Sequence, residues 1–171
     1  AFKRILPAQL AERLTQVSAS EGIALMPDAA MLIARMADGS MRDALSILDQ
    51  CAASGETIDM PFALSLLGLA GAEQTAALVS AVGRKDTKAA LALFSQLYAA
   101  GKDVAATLDE LIGLMRDLLL IKTLPAGSVT PLSGLDDPSL TQLSAMFEPA
   151  VLLHDMTQLQ QTLSELPRSQ N

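Results

Sequence analysis

The chain has 171 residues, 50% of them hydrophobic, with four Phe, one Tyr, no Trp and a formal net charge of −7. That length and apolar content supply one sizeable core or two small ones and exclude wholesale disorder. The acidic balance excludes a broad nucleic-acid surface, which needs clustered Lys and Arg.

Ala, Leu and Met carry the apolar mass. Ala and Leu favour helix, whereas strands want β-branched and aromatic residues, so the composition predicts an all-α protein. A first helix is predicted from Pro7, which suits a first-turn position, to the stop at Gly22, with Leu10, Leu14 and Val17 on its apolar stripe. Ile23 and Leu25 then cross in an extended connector. Asp28, after Pro27, is predicted to cap a second helix that carries Met31, Leu32, Ile33 and Met36 and ends at Gly39. Ser40 caps a third, whose buried face is Ala44, Leu45, Ile47, Leu48 and Cys51.

The polar turn Ala53-Ser54-Gly55-Glu56 marks the predicted boundary between a three-helix unit, residues 1–55, and a second region, 56–171. The charge changes there too. The first part holds five basic and six acidic residues and the second seven basic and thirteen acidic, which disfavours phosphate binding by the second. Asp59 opens a short helix to about Leu67, and Gly68 and Gly71 break the chain. Helices near 72–82 and 87–100 follow, then the longest from Asp103 through Ile121, with an apolar arc wide enough for both a core and a neighbour. Residues 125–138, with three Pro and two Gly, read as a loop before helices near 139–147 and 149–166. There is no internal repeat.

The chemistry of a self-sufficient enzyme is missing. The sequence contains no G-x-x-x-x-G-K-[ST], no dinucleotide glycine fingerprint and no G-x-S-x-G. Cys51 and His154 are the only Cys and His, leaving nothing for a disulfide, a cysteine metal cluster or Cys–His catalysis. The lone Cys fits a reducing cytoplasmic setting. Asp109–Glu110 and Asp136–Asp137 are adjacent in helix or loop. On a helix neighbours point apart, so Asp109 and Glu110 are not preset as an acid/base pair, and both pairs are expected to be solvated surface. No stretch approaches the roughly 18 apolar residues that span a bilayer. The opening Ala1-Phe2-Lys3-Arg4-Ile5 has no initiator Met and reads as the start of an excised fragment.

One feature remains: Gly39-Ser40-Met41-Arg42-Asp43-Ala44-Leu45. It sets Arg42 in the first turn of a helix, where the dipole favours acidic side chains. A cation there calls for something anionic opposite, either a neighbouring carboxylate or a ligand.

Phe2-Lys3-Arg4-Ile5 resembles the end of an R-F-x-F-K-R-I stretch that leaves an AAA+ ATPase core and enters its helical lid. The succession helix, Ile-x-Leu connector, helix and Gly39-Ser40-Met41-Arg42-Asp43-Ala44-Leu45-Ser46 resembles the lid of clamp-loader ATPases, most of all the gamma/tau family of bacterial DNA polymerase III. Asp49-Gln50 and Leu67-Gly68 stand at that family's distances. The resemblance covers the whole chain, is specific over residues 1–70 and rests on helix layout beyond.

The resemblance implies an AAA+ helical lid over residues 1–55 and a helical collar over 56–171, shorter by its last helix. Arg42 corresponds to the sensor-2 arginine, which contacts the ATP phosphates, and Met41 is a weaker candidate for touching the adenine. The parent would be an ATPase subunit of DNA-directed DNA polymerase III, using ATP with magnesium. This fragment, having no P-loop, would neither hydrolyse ATP nor hold it stably. The implied partners are other clamp-loader subunits through the collar, and the sliding clamp and primed DNA through the assembled complex. No membrane is implied, the setting is the bacterial cytoplasm, and the fragment alone would be monomeric or weakly oligomeric. Two alternatives stay open: the lid and oligomerisation region of another AAA+ repair or recombination ATPase, and a free-standing helical interaction adaptor.

Overall fold

The computed structural model describes residues 5–125, 131 and 133–166. Phe2, Lys3 and Arg4, part of the 125–138 loop and the last five residues lie outside the described set. Among the described residues there are nine helices: α1 (Pro7–Glu21), α2 (Pro27–Met36), α3 (Met41–Ala52), α4 (Met60–Leu66), α5 (Ala72–Gly83), α6 (Thr87–Ala99), α7 (Val104–Thr123), α8 (Asp137–Ser144) and α9 (Pro149–Glu165). The expected all-α class is what the chain adopts. Its only extended pairing among these residues is an isolated parallel bridge between Leu25 and Ile58.

Two compact units divide at Leu67/Gly68. In the first, α1 packs on α2 and α3, and the core is Leu10, Leu14, Ile33, Leu48, Cys51 and Ile58 among many alanines. The connector after α1 is held by backbone: Ile58 N–H donates to Ala24 O at 2.7 Å, and Met26 N–H to Ile58 O at 2.9 Å. This bridge and α4 explain why the units part later than the polar turn at 53–56. Ile58 is fully buried, Ala63 of α4 joins the same core, and α4 packs on α2. Charge and turn residues mark where the chain changes composition; burial marks where it changes core.

The start of α2 differs from expectation. Asp28 is not its N-cap: Pro27 occupies the first helical position and Met26 the cap. Proline's fixed φ suits that place, so Asp28 falls inside the first turn, accepting from Ala29 N–H at 2.8 Å and complementing the dipole. Ser40, Asp59 and Asp103 do cap α3, α4 and α7, each accepting from the amide three residues on.

In the second unit α7 is the central element, packed against α5, α8 and α9. Leu108, Leu111, Leu114, Met115 and Leu118 form its buried stripe, met by Leu78, Val79, Leu140, Leu143, Phe147 and Leu152. Gly83, at the end of α5, sits against α8 and the turn after it. A Cβ there would lie 2.9 Å from Met146 Cβ and 3.0 Å from the Phe147 ring, so only glycine fits without a shift. Helix α8 begins at Asp137, inside the stretch expected to be loop, because Asp136 caps it and Pro138 falls in its first turn.

Candidate functional site

The turn between α2 and α3 is tight. Ala37 N–H closes α2 on Ile33 O at 3.1 Å, and Ser40 N–H returns to Ala37 O at 2.8 Å. Between them Asp38 and Gly39 both take positive φ, 44° and 84°. Aspartate tolerates that region and glycine is indifferent to it, which is why the turn is built from these two. The incoming chain is tied to the same turn, since Ile5 N–H donates to Gly39 O at 3.1 Å.

Ser40 then starts α3. Its Oγ accepts from Asp43 N–H at 3.3 Å and its carbonyl from Ala44 N–H at 3.1 Å. The Asp43 carboxylate sits in the first turn, where it complements the dipole. Arg42 is exposed one residue earlier, and its backbone carbonyl accepts the Ser46 hydroxyl at 3.0 Å. Among the described residues its guanidinium makes no hydrogen bond or ion pair. So the anion that its position calls for is not a described carboxylate of this chain. Guanidinium and helix N-terminus together can hold an external anion, phosphate geometry suiting both. Met41, by contrast, is half-buried and packs on the core of the first unit.

Two family models match the chain in tandem. That for the DNA polymerase III clamp loader subunit ATPase lid domain covers residues 9–57, and that for domain III of DNA polymerase III subunits gamma and tau covers residues 58–171. The chain belongs to the gamma and tau family of DNA polymerase III subunits. It is 34% identical to the tau subunit of Bacillus subtilis over 72% of its own length and 22% of that protein. Against the Escherichia coli tau subunit it is 34% identical over 69% of its length and 18% of the relative. A replication factor C subunit 4 from Encephalitozoon cuniculi is 28% identical over 57% of the chain and 31% of that protein. The chain thus spans about a fifth of the tau subunits that it matches.

These matches put the Arg42 turn in the ATPase lid domain, and α4 to α9 in domain III. Helix α4 is therefore shared. It lies within the domain III match yet packs with the lid helices.

One member of each acidic pair plays a structural part. Glu110 is not a solvated surface group as expected: it is half-buried and its two oxygens accept Ala70 N–H and Gly71 N–H, both at 2.8 Å. Burial pushes its carboxyl above the usual range, while those two N–H groups and Lys102 pull it back. Asp136 stays exposed and is held below the usual carboxylate range by the Ser139 hydroxyl and amide. Sequence reasoning passed over Asp117, which is 2% exposed on α7 and accepts Ser133 N–H at 2.8 Å. Its only signal was a charge on an otherwise apolar arc. Cys51 is buried, which raises its thiol pKa, and His154 is exposed on α9. Among the described residues no three His, Cys, Asp or Glu side chains gather as a metal site, and no helix is long and apolar enough to cross a membrane.

Proposed function

We propose that this chain supplies the lid and collar of a clamp-loader ATPase that loads the sliding clamp onto primed DNA. Residues 1–55 act as the lid and answer nucleotide through Arg42, and residues 56–171 act as the collar that joins the loader subunits. The observation that carries this is the exposed Arg42 guanidinium at the N-terminus of α3, without a described carboxylate partner, in a lid-family domain. Arg42 and the first amides of α3 would face the ATP phosphates together, and ATP with magnesium supplies the anion and the hydrolysable bond. The chain contains no P-loop motif, so hydrolysis belongs to a core that it contacts rather than to its own side chains. Met41, half-buried at the same turn, packs on the core of the first unit, and any contact with adenine is secondary.

For the collar, support comes from the exposed apolar residues of the second unit. Leu91 and Tyr98, 64% and 69% exposed, stand seven residues apart on one face of α6, and Leu153 is exposed on α9. The acidic charge of this unit favours protein partners over direct DNA contact.

The test is Arg42→Ala in the parent chain assembled with its loader partners, following ATP turnover with clamp and primed DNA present. A charge-assisted bond to phosphate contributes about 1.5–3 kcal/mol, so turnover or ATP affinity should fall roughly tenfold or more. Unchanged affinity and turnover would reduce Arg42 to a surface charge.

A further inference from the structure

We propose that Glu110 is a latch that makes the segment Gly68–Gly71 move as part of α7, restricting the freedom of the junction with the first unit. This segment immediately follows the boundary between the units. It carries two glycines, both with positive φ, and on composition alone would be a loose hinge. Instead it is fixed to α7 at two points. Asp103 N–H, at the cap of α7, donates to Gly68 O at 3.0 Å. Two turns further along, the Glu110 carboxylate takes the Ala70 and Gly71 amides, one on each oxygen, at 2.8 Å. Residues seven apart share a helix face, so cap and carboxylate lie along one line. The side chains agree: Leu69 and Ala70 are buried, and a Cβ on Gly68 would already touch Asp103 Cβ at 3.4 Å.

The carboxylate makes the second point specific. The two N–H groups each take a separate oxygen, and a side-chain amide would offer one acceptor oxygen where the carboxylate offers two. The latch stands on this geometry alone. Its value for passing lid movement to the collar rests on the clamp-loader reading.

Glu110→Gln in the full chain separates the latch from packing, because it keeps the shape but turns one acceptor into an NH₂ facing an N–H. Residue-resolved hydrogen exchange should show Ala70 and Gly71 protected in the wild type and exchanging about tenfold or more faster in the variant. Spin labels at Ala19→Cys on α1 and Ser95→Cys on α6, both exposed sites, report the junction, and buried Cys51 escapes the label. Their distance distribution should broaden in Glu110→Gln. Equal exchange rates in the two proteins, or an unchanged distribution, would overturn the proposal. Should the variant fail to fold, the wild type still decides. Ala70 and Gly71 amides exchanging at the rate of an unstructured peptide would refute the latch. None of these readouts depends on ATP, so a failure of the clamp-loader reading is recognised separately.

Discussion

In the first unit irregular segments are held by backbone on backbone: Ile5 to Gly39, Ile58 to Ala24, and Met26 to Ile58. In the second, beside the backbone bond of Asp103 to Gly68, side chains of α7 do much of the holding, with Glu110 on Ala70 and Gly71, Asp117 on Ser133, and Lys122 Nζ donating to Ser144 O at 3.0 Å. The cores differ in step. Alanine is the commonest buried residue of the first cluster, with Ala29, Ala30, Ala34, Ala44 and Ala63 each 0–1% exposed. Leucine dominates the second. Small side chains let helices and connectors come close, so main-chain groups reach one another directly. Leucine layers hold the elements further apart, and a polar side chain must then span the gap. A lid unit built the first way keeps its charged side chains outside, where Arg42 stands exposed.

The largest expected effect comes from emptying the leucine core. Leu114→Ala, at a fully buried site on α7, should cost about 2–5 kcal/mol. In thermal unfolding followed by residue-specific probes it should lower the transition of the second unit and leave that of the first unchanged. Equal shifts in both would break the comparison, since the units would then unfold as one.

Overfilling the alanine core is the converse. Ala34 is 0% exposed on α2 within the alanine-rich core, so Ala34→Leu should overpack the first unit and destabilise it by about 1–3 kcal/mol. Chemical denaturation reads this directly, and a neutral result would mean that the close packing of α1, α2 and α3 is not what holds the unit.

The smallest effect is at Asp136. Its folded pKa is depressed, so the stabilisation by its cap is present above the ordinary carboxylate value and is lost as pH falls through the depressed one. Asp136→Ala should therefore lower the melting temperature of the second unit slightly at neutral pH. The gap from wild type should close in acid below the ordinary carboxylate range. A gap independent of pH would assign the effect to helix propensity rather than to the charged cap.

Much of this was legible because capping chemistry is local. Ser40, Asp59 and Asp103 bond to amides three residues on, within the reach of any sequence window. Asp28 misled because proline one residue earlier claimed the first helical position. Helix α8 starts ahead of its expected place because Pro138 reads equally as loop or first turn. The turn that carries Arg42 was legible for the same local reason, and the lid-family match includes that stretch.

The sequence by itself determined the all-helical class, the caps at Ser40, Asp59 and Asp103 and the setting of a cation in the first turn of α3, because each depends on neighbours within one helical turn. Only the tertiary structure decided which carboxylates are structural and where one unit ends. Glu110 meets its partners 39 and 40 residues away. Nothing in the pattern around Asp109–Glu110 distinguishes a solvated pair from a clamp. Likewise α4 could have packed with either neighbour in sequence, and the burial of Ile58 and Ala63 decided for the first. Both choices turn on long-range burial, where a group's worth depends on what the rest of the chain brings to it.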